Sequence, residues 1–364
     1  MPNLFDYLVW RGDLTLEQVP FGPVDALVLT TVCYVDFGAF VPAGPEQTVT
    51  LEQAAACFLA LPREEQLMRV RSRTDIELVE ALSRMPRFAR LYISSYEDCL
   101  EEETELQFSA LAISLGAQGV FLAYRGTDNS LVGWKEDFNM SFQDSVPAQW
   151  MARDYLERCA GWFKGPLILG GHSKGGNLAV FAASMCRPQI RDRIRTIYNH
   201  DGPGFTDLVM NQEGYRQLVS KIQSFIPESS VVGMLLEHQE PYIVVKSRYI
   251  GVFQHDPYSW EVLGNDFIRL EDVSEGSRVL DQTLKNWLAG LSAEERGNFV
   301  DTIYDMLQTT QADRVQELIK PRNLYSILRA IKNESEENRR QVAAALGQLA
   351  KTAVQTIKEL KKEE

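Results

Sequence analysis

The chain has 364 residues, of which 45% are apolar and 24% are charged, as in ordinary globular proteins that bury a large core. Its 50 acidic and 37 basic residues give a formal net charge of −13, which argues against nucleic-acid binding and against attachment to an anionic membrane. The five cysteines lack the spacing of a disulfide framework or a metal site, and no apolar run is long enough to span a bilayer. We therefore expect a reduced, soluble, cytoplasmic protein without a metal site or a transmembrane segment.

The first 87 residues are predicted to form a mainly helical N-terminal part of the molecule. Thr50 precedes apolar residues at helical spacing and predicts the start of one helix. Residues 75–85 show the same apolar spacing and predict a second helix.

Residues 88–272 are predicted to form an α/β core. Three short runs of β-branched, aromatic and aliphatic residues predict strands at 88–94, 109–114 and 119–124, with a hairpin turn at 116–119. Helical segments then alternate with further predicted strands, which lie at 166–169, 194–198, 222–226 and 242–245. This alternation predicts crossover connections and a mainly parallel sheet flanked by helices.

Residues 273–364 are predicted to form a helical C-terminal extension, because strand patterns stop after Val273. The last forty residues predict an amphipathic helix that packs on the domain or on a partner. Its apolar side consists of Val342, Leu346, Leu349, Ala353, Ile357 and Leu360.

The pattern G-x-S-x-G occurs at Gly171, Ser173 and Gly175, between a predicted strand and a predicted helix. This context predicts a nucleophile elbow, in which the serine hydroxyl is exposed above the sheet. The two glycines fit because side chains at those positions would collide with the neighbouring strand and helix. Neither G-x-x-x-x-G-K-[ST] nor G-x-G-x-x-G occurs, so no nucleotide cofactor is predicted, and we expect no cofactor at all.

Several segments of the chain resemble one protein family. They are GGHSKGGN at 170–177, DGPGF at 201–205, QHDPYSW at 254–260, and FLAYRGTD at 121–128 followed by GWKED at 133–137. Over about residues 88–261 the chain resembles a bacterial group of lipase-like α/β-hydrolases, which is similar to the class 3 lipases. The resemblance implies the α/β-hydrolase fold and a serine nucleophile.

The base of a catalytic triad must follow the serine in this fold, because the chain order is serine, acid, histidine. His255, in a loop after the apolar run 249–253, has the expected position and is the predicted base. His200 and His238 are the alternatives. We expect His172, beside Ser173, to be packed with its ring turned away from the serine.

Asp201 is the favoured acid, because it ends the strand after the nucleophile helix and precedes a Gly-Pro-Gly turn. Class 3 lipases place their acid one strand later, near Ser230, so the chain departs from that pattern. Glu228 is the alternative acid at this later strand. Asp256 is adjacent to the predicted base and is not expected to reach its far ring nitrogen, and a Ser-His dyad also stays open.

The backbone amide of Lys174 is the first predicted oxyanion donor, since it lies at the start of the nucleophile helix. The resemblance implies Thr127 as the second donor, with its hydroxyl available for a further hydrogen bond. We expect the Lys174 side chain to extend into solvent, or else to attract an anionic group. Arg125 and Asp137 match the class 3 pattern and are expected to form an ion pair or to contact substrate.

Together these features predict a serine hydrolase that cleaves a small-molecule or lipid ester through an acyl-enzyme. A thioesterase, acyltransferase or peptidase that uses the same triad is an alternative within the enzymes. An inactive hydrolase-fold scaffold that binds a partner is the alternative from another class.

Overall fold

The computed structural model describes residues 2–128, 130–140 and 143–308, together with 340, 343–344, 347–348 and 351–352. The chain divides into two compact units. Unit 1 comprises Met1–Cys99, Phe108–Gly126 and Ala148–Val273, and unit 2 comprises Leu100–Gln107, Thr127–Pro147 and Ser274–Glu364. The residues that predict the last helix all lie outside the described residues: Val342, Leu346, Leu349, Ala353, Ile357 and Leu360.

A nine-stranded mixed sheet is built almost entirely from residues of unit 1. The strands are β1 (Val49–Thr50), β2 (Tyr92–Glu101), β3 (Leu106–Ser114), β4 (Val120–Tyr124), β5 (Leu167–His172), β6 (Ile194–His200), β7 (Ile222–Pro227), β8 (Tyr242–Val245), β9 (Val262–Leu263), β10 (Asp266–Phe267) and β11 (Arg269–Leu270). The sheet order is β1-β2-β3-β4-β5-β6-β7-β8-β11, and β9 pairs with β10 in a separate ribbon.

Strands β4 to β8 are parallel to one another, whereas the pairs β1–β2, β3–β4 and β8–β11 are antiparallel. The predicted α/β class is therefore confirmed, with parallel strands in the middle of the sheet. The predicted hairpin is confirmed as well, because β3 and β4 pair across the turn at 116–118.

The helices flank this sheet or belong to unit 2. They are α1 (Leu4–Arg11), α2 (Pro23–Val32), α3 (Leu51–Leu59), α4 (Arg63–Met68), α5 (Arg73–Arg84), α6 (Pro86–Ala89), α7 (Leu131–Asn139), α8 (Pro147–Trp162), α9 (Lys174–Met185), α10 (Pro188–Arg191), α11 (Asp207–Met210), α12 (Glu213–Leu218), α13 (Glu275–Ala289) and α14 (Ala293–Gln308). None of the described helices is long and apolar enough to cross a bilayer.

Helix α3 begins where the sequence predicts. The Thr50 hydroxyl accepts a hydrogen bond from the Gln53 amide at 3.2 Å, and the Gln53 side chain accepts one from the Thr50 amide at 2.9 Å. This reciprocal capping box satisfies two amides that lack partners within the helix. Helix α5 likewise confirms the helix predicted from residues 75–85.

One expectation about local structure is wrong. The strand predicted at 88–94 begins only at Tyr92, because Pro86 starts the short helix α6, which contains Phe88. His255 ends a short 3₁₀ turn, Gly251–His255, in the segment after β8. Ile250, just before this turn, is 86% exposed.

The N-terminal helices share one hydrophobic core with the sheet. In α2 every residue from Val24 to Val32 is buried, including the polar residues Asp25, Thr30 and Thr31. The same cluster contains Phe121 of β4, Ile168 of β5 and Phe225 of β7. Helix α2 therefore packs as an internal element of unit 1.

A buried ion pair joins α2 to α6. The guanidinium of Arg87 contacts both carboxylate oxygens of Asp25 at 2.6 Å, and Tyr7 donates a third hydrogen bond to this carboxylate at 2.7 Å. The remaining guanidinium protons are donated to carbonyl oxygens, including that of Pro20 at 3.2 Å. Both charged side chains are about 1% exposed, so each depends on the other for its charge compensation.

Unit 2 contains α7, α13 and α14 among its described residues. The Lys135 ammonium on α7 lies 2.7 Å from Glu105 and 2.8 Å from Asp301, which is on α14. It also lies 4.6 Å from the centre of the Tyr304 ring. These contacts connect α7 to α14 through one lysine.

We expect Arg87→Met to lower the free energy of unfolding by about 3–5 kcal/mol, because it leaves the Asp25 carboxylate buried without its counter-ion. The matched control is Arg84→Met, which removes an exposed pair with Glu80 and should cost less than about 0.5 kcal/mol. Urea unfolding followed by far-UV circular dichroism measures both. Equal losses in the two variants would contradict this account.

Candidate active site

Ser173 lies on the turn between β5, which ends at His172, and α9, which begins at Lys174. Its backbone has φ +59° and ψ −134°, a conformation that L-residues rarely adopt. The Ser173 amide donates to the His200 carbonyl at 2.9 Å, and its carbonyl accepts from the Gly176 amide at 2.9 Å. The strained turn is thus held from both sides, and the serine is half-buried.

The two elbow glycines, Gly171 and Gly175, leave no room for a side chain. A Cβ atom on Gly171 would lie 2.0 Å from the carbonyl carbon of Gly175. A Cβ atom on Gly175 would lie 2.2 Å from the carbonyl oxygen of Tyr124, at the end of β4. The close packing of β5, α9 and β4 therefore requires glycine at both positions.

Asp201 directly follows β6, the strand next to β5, and is completely buried. Its backbone is also left-handed, with φ +55°, and its amide donates to the Phe225 carbonyl of β7 at 2.8 Å. One carboxylate oxygen, Oδ2, lies 2.6 Å from His255 Nδ1. The other, Oδ1, accepts from the Ser230 hydroxyl at 2.6 Å and from the Gly233 amide at 3.1 Å.

These contacts determine which nitrogen of His255 holds its proton. Because a carboxylate accepts hydrogen bonds, Nδ1 of His255 donates to Asp201. In the neutral ring Nε2 then has a free lone pair, which is the state a general base requires. The His255 side chain is 27% exposed, whereas the Asp201 side chain is completely buried.

The structure therefore brings Asp201 and His255 together at the carboxyl end of the strand adjacent to Ser173. The hydrogen bonds of the described residues do not include one between the Ser173 hydroxyl and His255, and such bonds are often long before substrate binds. They also include none to the carboxylate of Glu228, the alternative acid. Its amide donates to Val245 at 3.1 Å.

The other two candidate bases have different surroundings. His200 ends β6 with no exposed surface, and its ring contacts the aromatic rings of Tyr198, Phe225, Trp260 and Phe267. His238 Nδ1 lies 3.2 Å from the buried carboxylate of Glu240. Neither ring hydrogen-bonds to Asp201.

Lys174 differs from our expectation. Its side chain is 1% exposed, so the expectation that it extends into solvent is wrong. Lys174 begins α9, in which every residue from Lys174 to Ser184 is buried. Its backbone amide stays a predicted oxyanion donor at the start of this twelve-residue helix.

The residues implied by the Arg-Gly-Thr segment lie as follows. Thr127, in unit 2, donates its hydroxyl proton to Asp137 at 2.5 Å, so this proton is already engaged there. Its amide stays a prediction of the sequence. Arg125, in unit 1, forms two hydrogen bonds of 3.0 Å with the Asp98 carboxylate, a partner that sequence reasoning missed.

Comparison with known proteins gives one family. The model of the Mbeg1-like family matches residues 82–305, which is more than half of the chain. The chain belongs to the Mbeg1-like family. This family is lipase-like and falls in the class 3 lipase superfamily, in agreement with the resemblance read from the sequence. No curated protein matches the chain.

Besides Asp98, sequence reasoning missed three hydrogen-bond partners in this Mbeg1-like chain. Ser230 and Gly233 bind the Asp201 carboxylate, and Tyr34 binds the buried ring of His172. Ser230 had a usable signal, because it stands where class 3 lipases place their acid. Tyr34 had none, since it lies 138 positions before the histidine it contacts. Within the described part of the chain, no three His, Cys, Asp or Glu side chains are grouped to hold a metal ion.

The buried His200 makes stability depend on pH. Burial lowers the pKa of His200 to about 3, whereas the unfolded chain has a histidine pKa near 6.5. The unfolded state therefore binds a proton below about pH 6.5 that the folded state does not, so stability falls with decreasing pH. Lowering the pH from about 7.5 to about 5 should reduce the free energy of unfolding of both proteins. We expect this reduction to be about 2 kcal/mol smaller in His200→Phe, which retains aromatic packing, than in the wild type. Urea unfolding at the two pH values measures this, and identical pH dependence would contradict it.

Proposed function

We propose that this chain is a serine hydrolase with the α/β-hydrolase fold, which cleaves carboxylic esters with Ser173 as nucleophile, His255 as base and Asp201 as acid. The observation that carries the proposal is the 2.6 Å hydrogen bond between His255 and the buried Asp201, beside the strained serine turn. Membership of a lipase-like family supports an ester as the substrate class.

The reaction would proceed in two steps. Ser173 Oγ attacks the ester carbonyl carbon while His255 Nε2 takes the hydroxyl proton, and the Asp201 carboxylate stabilises the imidazolium that forms. The tetrahedral intermediate collapses to an acyl-enzyme when the alkoxide leaves with that proton as an alcohol. Water then attacks the acyl-enzyme with His255 again as the base, which releases the carboxylic acid and restores Ser173.

Charge on the carbonyl oxygen would be stabilised by the Lys174 amide. This amide belongs to the first turn of α9, where the helix dipole favours negative charge. An oxyanion donor of this kind typically lowers the barrier by about 3–4 kcal/mol.

We expect wild-type protein to react with a fluorophosphonate probe and Ser173→Ala to remain unlabelled with its fold intact. The physical reason is that the probe bonds only to an activated serine, and the half-buried Ser173 hydroxyl contributes little packing. The matched control is Ser184→Ala in α9, the helix that follows Ser173, because the Ser184 hydroxyl donates to a backbone carbonyl at 2.8 Å. It should be labelled like the wild type, as seen by intact-protein mass spectrometry.

Hydrolysis of nitrophenyl esters of graded chain length accompanies the labelling. Folded wild-type protein that takes no label and cleaves no ester would favour the inactive scaffold. Labelling that persists in Ser173→Ala would assign the nucleophile elsewhere. Turnover of thioesters in preference to oxygen esters of the same acyl group would favour a thioesterase.

The identity of the acid is tested by Asp201→Asn and Glu228→Gln. Ser230 and Gly233 hold Oδ1, so the new amide group of Asp201→Asn faces His255 Nδ1 as a donor and forces the proton onto Nε2. The base is then blocked, and we expect kcat to fall by about 10⁴-fold. Glu228→Gln should leave kcat within about threefold of the wild type. Glu228 does not hydrogen-bond to His255 and so does not determine which of its ring nitrogens holds the proton. The reverse pattern in ester hydrolysis would transfer the role to Glu228.

A further inference from the structure

His172, the buried residue directly before Ser173, makes two directional hydrogen bonds with its ring. Nε2 lies 2.8 Å from the main-chain carbonyl oxygen of His255, and Nδ1 lies 3.0 Å from the Tyr34 hydroxyl. A carbonyl oxygen only accepts, so Nε2 holds the proton. Nδ1 is then the acceptor, and the Tyr34 hydroxyl donates to it.

The ring of His172 is kept neutral in this arrangement. It has no exposed surface, and burial together with the positive charge of Arg71 holds the pKa of His172 well below its usual range. A neutral ring with one proton has a single tautomer that satisfies both partners. The donor that faces His255 is therefore permanent at the pH values where a histidine base works.

From these contacts, and resting on the proposed function, we propose that His172 is a positioning residue that fixes the main chain of His255. His255 is then held at two points: its Nδ1 by Asp201 and its carbonyl oxygen by His172. His172 is the last residue of β5 and directly precedes Ser173. The second point therefore fixes the position of the base relative to the strand that leads to the nucleophile. The two histidine rings lie 4.7 Å apart, in contact with one another.

The N-terminal helical residues support the same loop. The Arg71 guanidinium lies 4.4 Å from the centre of the Tyr34 ring and 3.7 Å from the carboxylate of Asp256, the residue after His255. The Tyr258 hydroxyl donates to the buried carboxylate of Asp75 at 2.8 Å. The loop that contains the base is thereby attached to residues near the start of α5, which gives these helices a part in the geometry of the site.

The test measures kcat, KM and the fluorophosphonate labelling rate for His172→Leu, His172→Gln and Tyr34→Phe. Displacement of a reacting group by about 1 Å costs on the order of 10²-fold, so we expect His172→Leu to lower kcat and the labelling rate by about 10–100-fold with little change in KM. His172→Gln, whose amide can donate from nearly the same place as Nε2, should recover most of this loss. Tyr34→Phe should cost several-fold, because it removes the donor that selects the His172 tautomer.

His200→Phe is the matched control, because His200 pairs with His172 in the register of β5 and β6 and is equally buried. It should be labelled within about twofold of the wild-type rate, since its ring does not bond to the base. Tyr34→Phe added to His172→Leu should cause no further loss, because both changes act through one ring.

Two outcomes would overturn the positioning role while the proposed function stands. In the first, the wild-type protein is labelled and hydrolyses ester, and the folded variants His172→Leu and Tyr34→Phe are labelled and hydrolyse ester at the wild-type rate. In the second, kcat and the labelling rate fall in His172→Leu, fall equally in His200→Phe, and are not restored in His172→Gln. That result would indicate a role in folding only. A wild-type protein that takes no label would instead contradict the proposed function itself.

Discussion

The buried carboxylate of Asp201 is the constraint on which the arrangement of the strand ends depends. A carboxylate without solvent costs several kcal/mol unless other groups donate hydrogen bonds to its oxygens. Here the donors come from Ser230 and Gly233 after β7 and from His255 after β8. One buried charge therefore ties together the connections that follow three neighbouring parallel strands, and it does so next to the strand that ends at Ser173.

The strained turn at Ser173 depends on its packing in a similar way. A non-glycine residue with positive φ persists only where its surroundings leave no alternative. The surroundings here are the close approach of α9 to β4 at Gly175, together with the backbone hydrogen bond from Ser173 to His200. Because that bond ends on the residue before Asp201, the backbone of the serine and that of the acid are connected directly across two strands.

The parts of this site that the sequence could predict are those determined by neighbours in the chain. The G-x-S-x-G pattern between a strand and a helix is sufficient to predict the turn at the serine. The alternation of strands and helices is sufficient to predict the α/β class. The donors to Asp201 and the ring of Tyr34 are different, because they meet their partners only after the sheet has formed. The burial of Lys174 was mispredicted for the same reason: α9 is buried from Lys174 to Ser184 in the folded molecule, which no local pattern records.

His172 and His200 show why burial alone does not reveal a functional role. They are register partners on adjacent strands, neither has exposed surface, and burial lowers the pKa of both. One ring is surrounded by aromatic side chains, whereas the other has a donor on one nitrogen and an acceptor opposite the other. A buried neutral histidine among aromatics serves packing, and its ring could be replaced by another of the same shape. A buried neutral histidine with two directional partners fixes those partners relative to each other. Here a movement of Tyr34, His172 or His255 breaks at least one of the two hydrogen bonds that connect them.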